Sequence, residues 1–159
     1  MSLDVSVPLV AVGHFWVLRQ LLAKVPRELT VVVTLDDRHE WAFVEPGWRP
    51  LSIAVTETAM LLWSARNVHE FGPTGLSASI GLDEDVEWAL PLASSELLVI
   101  CETSVRKLRE GRVVERIDLQ DTFESVRHVE DAIVITDAAG IEYTVDLAAD
   151  TRANNYPSA

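Results

Sequence analysis

Four neighbouring residues, Asp36, Asp37, His39 and Glu40, form the densest group of potential metal ligands and acid–base groups in the chain. Carboxylates together with an imidazole are suited to bind a divalent cation or to activate a water molecule. The same residues separate two segments with strand character, and aspartate favours turns because its side chain bonds to nearby backbone. We therefore favour a hairpin turn here and keep a metal-assisted hydrolase as the alternative.

A second acidic group, Asp83, Glu84 and Asp85, lies between two predicted strands, and Glu87 follows it as a fourth carboxylate. Calcium prefers about six to eight oxygen ligands, and these carboxylates could supply some of them. The segment lacks the spacing of an EF-hand loop, so a solvated acidic loop is the preferred interpretation. Such a loop is suited to contact a basic protein surface, and we include its three residues in a predicted binding set.

The chain contains five tryptophans, which is many for its length. Trp48 lies in the segment P-G-W-R-P, where two prolines flank it and Arg49 follows it. Tryptophan is enriched at binding hot spots, so we predict that Trp48 and Arg49 contact a protein partner. Trp41 joins this set, because Trp41 and Trp48 together would suit a small molecule or sugar bound in a concave pocket.

The sequence lacks the spacings that catalytic and metal-binding motifs require. The four histidines are scattered, Cys101 is the only cysteine, and neither a G-x-S-x-G elbow nor a Walker-type loop occurs. We therefore expect a non-enzymatic protein without a cofactor, which acts by recognising another protein.

The chain is strongly acidic, with 13 basic residues against 25 acidic residues and a formal net charge of −12. Such a field repels phosphate backbones and attracts basic proteins, so we expect a protein partner and no nucleic acid. No apolar run reaches the roughly 18 residues that a membrane span requires, and no signal peptide is indicated. With a single cysteine there is no disulfide framework, and we expect a cytoplasmic location without membrane contact.

Most of the 159 residues have the pattern of short strands separated by turns, which predicts a mainly β fold. In residues 14–25, however, apolar residues recur at helical spacing and Pro26 supplies a stop, so we favour one short N-terminal helix over a strand pair. We predict a single domain over residues 1–150, followed by a flexible tail over residues 151–159.

The chain also repeats itself with a period of about 37 residues. This shift superimposes three sets of apolar residues: Val31, Val68 and Val105; Phe43, Ile80 and Ile117; Val55, Leu92 and Val129. Each repeat would hold about four short antiparallel strands, which is the composition of a β-propeller blade. The alternatives are a complete small propeller, an incomplete one that is closed by oligomerisation, or a twisted meander in two packed sheets. Exposed sheet edges would favour a homo-oligomer.

One segment carries a more specific signal. The sequence AIVITDAAGIEYTVDL contains a hydrophobic strand, a D-x-x-G turn, a strand with an aromatic residue and a closing Asp-Leu pair, and it resembles the repeats of quinoprotein-type β-propellers. The segment LLVICETSVRKLREGRVVERIDL is similar, but Thr103 and Ser104 replace the turn glycine. The resemblance implies a propeller-like fold and places no catalytic or cofactor-binding residue.

Overall fold

The structure, a computed structural model, describes residues 4–11, 13–22, 28–46, 49–92 and 95–147. Within these ranges the chain forms fifteen strands, β1 to β15, and no helix. The strands make four sheets, in each of which consecutive strands are antiparallel neighbours in chain order. The predicted fold class, a mainly β antiparallel meander, is therefore confirmed.

The first sheet contains β1 (Asp4–Ala11), β2 (His14–Leu22), β3 (Glu28–Leu35) and β4 (His39–Pro46). The second sheet contains β5 (Ser52–Val55), β6 (Met60–Ser64), β7 (Asn67–Gly72) and β8 (Gly75–Gly81). Their apolar faces share one core, whose buried members are Trp16, Leu18, Val31, Val33, Leu35, Met60, Leu62 and Phe71.

The third sheet contains β9 (Val86–Pro91), β10 (Glu96–Cys101), β11 (Ser104–Arg109) and β12 (Arg112–Asp118). The fourth sheet contains only β13 (Phe123–Val129), β14 (Ala132–Asp137) and β15 (Glu142–Asp146) among the described residues. Turn chemistry agrees with the topology, since the β11–β12 hairpin turns at Glu110 and Gly111, whose φ values are 50° and 75°.

The predicted N-terminal helix is wrong, because residues 14–22 form strand β2. Trp16 and Leu18 are fully buried while Val17 between them is half-buried, which is the alternation of a strand. Strand β2 pairs along its length with β1 on one side and with β3 on the other. These two neighbours satisfy its backbone groups, and this pairing overrides the helix propensity of the segment. Residues 23–25 lie outside the described residues.

The predicted repeat corresponds to equivalent positions in successive sheets. Val31, Val68 and Val105 lie in the third strands of their sheets, and each is opposite a member of the second predicted set. The pairs are Val31–Phe43, Val68–Ile80 and Val105–Ile117. The links between sheets repeat as well. Val86 N donates to Ala65 O at 2.6 Å, and Phe123 N, 37 positions later, donates to Glu102 O at 2.7 Å. The period of about 37 residues is therefore a structural repeat.

The chain divides into two compact units, residues 1–89 and residues 90–159. The first unit holds the first two sheets and the start of β9, and the second unit holds the remaining strands. The assignment of residues 1–150 to one domain stays a prediction, and the predicted tail over residues 151–159 lies outside the described residues.

Candidate functional site

The predicted acid–base group lies at the β3–β4 hairpin. Asp36 and Asp37 have φ values of 48° and 55°, the left-handed conformation that tight hairpin turns use, and Arg38 N donates to Leu35 O at 3.1 Å to close the turn. Asp36 is bound to the backbone of Phe15: its Oδ1 accepts from Phe15 N at 3.1 Å, and its N donates to Phe15 O at 2.9 Å. His39 and Glu40 are exposed at the start of β4. Among the described residues, no group of three or more His, Cys, Asp or Glu side chains is arranged to hold a metal ion.

An open cleft of about 490 Å³ lies beside this turn. Its lining consists of the β3–β4 turn and the β7–β8 turn: Leu35, Asp36, Arg38, His39, Pro73 and Thr74. Small-molecule sites are mostly lined by apolar and aromatic groups, whereas four of the six residues that line this cleft are polar. Trp41 is not among the lining residues, and Trp48 lies outside the described residues, so the predicted two-tryptophan pocket stays a prediction.

Trp41 packs inside the first unit. Its ring meets Phe71 edge-on with a centroid distance of 5.6 Å, and His39 is tilted against it at 6.0 Å. Gly75 passes close to the same ring, since a Cβ at this position would lie 2.3 Å from two ring carbons of Trp41. The half-buried Trp41 is therefore held by contacts on several sides.

Arg49 and the acidic loop, which the sequence analysis treated as separate segments, meet in the structure. Arg49 Nε lies 3.3 Å from Asp85 Oδ2, and Arg49 Nη1 donates to Glu87 Oε1 at 2.8 Å. Arg66 Nε lies 3.3 Å from Asp85 Oδ1. Asp83 and Glu84 lie in the same loop, between β8 and β9. Arg49 thus fixes its own segment against this loop, and the roles of Arg49, Asp83, Glu84, Asp85, Trp41 and Trp48 in partner binding stay predictions.

A buried polar network that the sequence analysis missed joins the first and second sheets. Glu45 Oε1 lies 2.6 Å from His69 Nε2, Asn67 Nδ2 donates to Glu45 Oε2 at 2.9 Å, and His69 Nδ1 lies 2.8 Å from Ser79 Oγ. Phe43 stacks on the imidazole with a centroid distance of 4.1 Å. The residues joined by these contacts are 10 to 24 positions apart in sequence, so no local motif predicts the network.

The network has the components of a hydrolase triad in the reverse orientation. In serine proteases the hydroxyl bonds to Nε2 of histidine and the carboxylate to Nδ1, whereas here Ser79 faces Nδ1 and Glu45 faces Nε2 of His69. Each partner of the buried carboxylate comes from β7, while Glu45 itself comes from β4. We therefore assign the network to joining the two sheets.

The D-x-x-G turn of the fourth sheet is organised by Asp137, which is fully buried. Its carboxylate accepts hydrogen bonds from the backbone N–H groups of Ala139, Ile141 and Asp121 and from the Tyr143 hydroxyl, at distances of 2.9–3.2 Å. Burial raises the pKa of this carboxyl, but the four hydrogen bonds together outweigh burial and hold the pKa below its usual range. The aspartate that carried the sequence resemblance is thus a turn-forming residue.

A cavity of about 190 Å³ lies in the second unit, between one face of the third sheet and strand β15. Its lining residues are Leu98, Val105, Lys107, Glu115, Ile117, Thr144, Val145 and Asp146. Leu98, Val105 and Val145 are buried and form an apolar floor, and the charged residues lie around it. Sequence reasoning could not find this cavity, because its lining combines residues of the third sheet with residues of β15 that are distant from them in sequence.

No protein-family model and no curated protein matches this chain. Solved structures do match it. BamB from Moraxella catarrhalis is 13% identical with a TM-score of 0.53, over 87% of this chain and 42% of that chain. BBS1N, crystallised in complex with ARL6DN, is 11% identical with a TM-score of 0.55, over 89% of this chain and 49% of that chain.

Both of these solved structures are β-propeller proteins. The chain therefore has a propeller-type β fold, and each of its four sheets corresponds to a blade. This confirms the fold that the sequence resemblance implied. The chain spans less than half the length of either protein. Across the described ranges there is no helix of the length and apolar character that crossing a membrane requires.

Proposed function

We propose that this chain is a non-enzymatic protein-interaction module that recognises a basic protein partner. One observation supports the proposal: basic side chains are held in ion pairs, and carboxylates outnumber them. At least six basic side chains are held in ion pairs with carboxylates, namely Arg49, Arg66, Lys107, Arg109, Arg116 and Arg127. Since acidic residues outnumber basic residues by 25 to 13, these pairs leave a surplus of carboxylates.

Part of this surplus is concentrated at one end of the second unit. Glu110 lies in the β11–β12 turn, and Glu130 and Asp131 form the β13–β14 turn, all of them exposed. The opposite ends of these strands meet near residues 119–123, where Leu119 and Phe123 bond to the β10–β11 turn. The two acidic turns therefore lie at the same end of the unit, and we name Glu110, Glu130 and Asp131 the acidic end.

Such a cluster is suited to steer a basic partner, because complementary potentials raise the rate of association and suppress wrong partners. The fold is compatible with this role, since the similar structure of BBS1N is of a complex with ARL6DN. The partner of this chain, its location in a cytoplasmic compartment and the involvement of the Trp48 segment are parts of the proposal.

The proposal is tested by affinity capture with the full chain as bait, from a lysate of the cells that produce it, in about 0.05 M and about 0.5 M salt. A second bait carries Glu130→Gln and Asp131→Asn. The matched control bait carries Asp37→Asn and Glu57→Gln, which remove two exposed charges from turns of the first unit.

We expect a basic protein that is retained at low salt, released at high salt and captured several-fold more weakly by the Glu130/Asp131 variant than by the control. The proposal is wrong if no protein is retained by the unaltered bait. It is equally wrong if one is retained with the same strength by all three baits at both salt concentrations.

A further inference from the structure

The open cleft of the first unit borders the hydrophobic core of that unit, because the buried Leu35 belongs to both. The β3–β4 turn and the β7–β8 turn form its walls. Its volume of about 490 Å³ lies within the roughly 300–1,000 Å³ of small-molecule sites. The cleft is therefore large enough for a small molecule, and its polar lining favours one that carries polar groups.

Both walls of the cleft are held in place by hydrogen bonds. In the β3–β4 turn, Arg38 N donates to Leu35 O at 3.1 Å, and Asp36 N donates to Phe15 O at 2.9 Å. The β7–β8 turn joins two strands whose pairing continues up to the turn itself. A site whose walls are fixed before binding loses little conformational entropy when a ligand enters.

The alternation of strand β4 determines which of its side chains border the cleft. His39 lines the cleft and is tilted against Trp41, which packs against the core. Glu40 lies between these two residues and therefore points to the opposite face of the sheet. The carboxylate of β4 that is nearest in sequence is thus directed away from the cleft.

Arg38 lines the cleft as well, and its guanidinium makes no ion pair with any described residue. At least six other basic side chains of this acidic chain are held in ion pairs. Of the six lining residues only Asp36 is acidic, and its Oδ1 accepts a hydrogen bond from Phe15 N at 3.1 Å. A guanidinium presents its N–H donors in a planar fork that matches the oxygens of a carboxylate or a phosphate.

We propose that this cleft binds a small molecule that carries a carboxylate or phosphate group. The anionic group accepts hydrogen bonds from the Arg38 guanidinium and the Thr74 hydroxyl, and the rest of the molecule lies against Leu35 and Pro73. The cleft and the acidic end belong to different units of the chain. This inference therefore goes beyond the proposed function and does not depend on it.

The net charge of the chain limits the affinity of such a site. A formal charge of −12 repels anions at long range, and the attraction of Arg38 acts only at close contact. We therefore expect a dissociation constant of about 1 mM.

The test measures the binding of two anions and one neutral molecule to the full chain by NMR. Phenyl phosphate and benzoate share an aromatic ring and differ in the anionic group, and benzamide is the neutral counterpart of benzoate. Each compound is titrated to about 10 mM, roughly ten times the expected dissociation constant. The backbone amide shifts of Arg38, His39 and Thr74 report on the cleft, and the shift of Glu110 reports on the second unit.

Two variants separate the cleft from a general effect of charge. Arg38→Gln removes the guanidinium from the cleft, and Arg38→Lys keeps the charge but not the fork. The matched control is Arg112→Gln, because Arg112 is likewise exposed and makes no ion pair with a described residue, but it lies in the second unit. The NMR spectrum without ligand shows whether each variant is folded.

We expect at least one of the two anions to shift the three cleft amides in a saturable manner, while benzamide and the Glu110 amide show no effect. Arg38→Gln should weaken this binding about fivefold or more, and Arg38→Lys should weaken it less. Arg112→Gln should remain within about twofold of the unaltered chain. Binding of phenyl phosphate alone assigns the cleft to phosphate compounds, binding of benzoate alone assigns it to carboxylates, and both results support the inference.

Three outcomes overturn the inference. The first is that neither anion shifts the cleft amides in a saturable manner. The second is that benzamide binds as tightly as benzoate. The third is that Arg38→Gln weakens binding no more than Arg112→Gln, because the guanidinium in the cleft would then have no role. None of these outcomes affects the proposed function, which is tested by the capture of a basic protein.

Discussion

Gly75, at the start of β8, is the position where replacing a hydrogen by a methyl group should disturb the first unit most. Its φ of +125° belongs to a region that side chains rarely adopt, and a Cβ there would lie 2.3 Å from two carbons of the Trp41 ring. That ring is in turn held by Phe71 and His39, so it cannot move without losing contacts. Gly75→Ala therefore combines backbone strain with a steric clash.

The two effects can be given magnitudes. A residue held in such a backbone conformation costs on the order of 1–3 kcal/mol. Overpacking in a well-packed core costs about 1–3 kcal/mol more. The free energy of unfolding should therefore fall by about 2–6 kcal/mol, which is a large part of the roughly 5–15 kcal/mol of a typical domain. Urea unfolding of the purified variant measures this loss directly.

Gly72 provides the matched control in the same hairpin, because a Cβ there would meet nothing within 4 Å and its φ is not positive. Gly72→Ala should change the free energy of unfolding by less than about 1 kcal/mol. In a double-mutant cycle, Trp41→Ala should relieve the clash in Gly75→Ala. The double variant should therefore lose about 1–3 kcal/mol less free energy of unfolding than the sum of the two single losses. The reasoning is refuted if Gly75→Ala costs no more than Gly72→Ala, or if the cycle is additive.

Three further predictions concern the polar groups. Glu45→Ala removes the carboxylate that contacts both the Asn67 amide and the buried His69 ring, and should lower the free energy of unfolding by about 2–4 kcal/mol in urea unfolding. Asp137→Asn should lower the melting temperature at neutral pH. The folded-state pKa of Asp137 lies below the usual aspartate value of 3.8, so this carboxyl stabilises the folded protein above that value, and the contribution is lost as pH falls through the lower folded-state pKa. Arg49→Ala removes two half-exposed ion pairs and should cost at most about 1 kcal/mol, with the loss shrinking in high salt.

Each of these predictions has a control and a contradicting result. Glu40→Ala removes an exposed glutamate from the same strand as Glu45 and should cost less than about 0.5 kcal/mol; equal losses would deny the buried network a stabilising role. The difference in melting temperature between wild type and Asp137→Asn should narrow as pH falls below about 4. A difference that stays constant would show that ionisation of Asp137 does not contribute to stability. A loss at Arg49 that is insensitive to salt would assign that residue a packing role.

The repeat could be predicted from sequence because equivalent positions of successive repeats carry apolar residues. Val31, Val68 and Val105 recur with Phe43, Ile80 and Ile117 since each valine lies opposite one of the other set across a pair of strands. Cross-strand pairs on a buried face demand apolar side chains, so an apolar period survives even where identity is lost. The D-x-x-G turn could also be predicted, because the Asp137 carboxylate accepts a hydrogen bond from a backbone N–H group of the same turn.

Other features depend on partners that are distant in sequence. Strand β2 was predicted as a helix because local spacing favoured one, and only pairing with β1 and β3 decides the outcome. Arg49 and Asp85, like Glu45 and His69, come together from separate strands or loops, and no motif links them. The cavity beside β15 is lined by residues of the third sheet and of β15, which are distant from each other in sequence, so no local pattern indicates it.

The most direct test of this account is amide hydrogen exchange of the full chain, with and without the protein that it captures. Protein recognition through the acidic end predicts that bound partner slows exchange of the Glu110, Glu130 and Asp131 amides by at least about tenfold, while exchange of the amides in the β3–β4 hairpin at Asp36 is unchanged. Protection confined to the first unit, or to the loop between Asp83 and Asp85, would contradict the account and transfer the binding site to that surface.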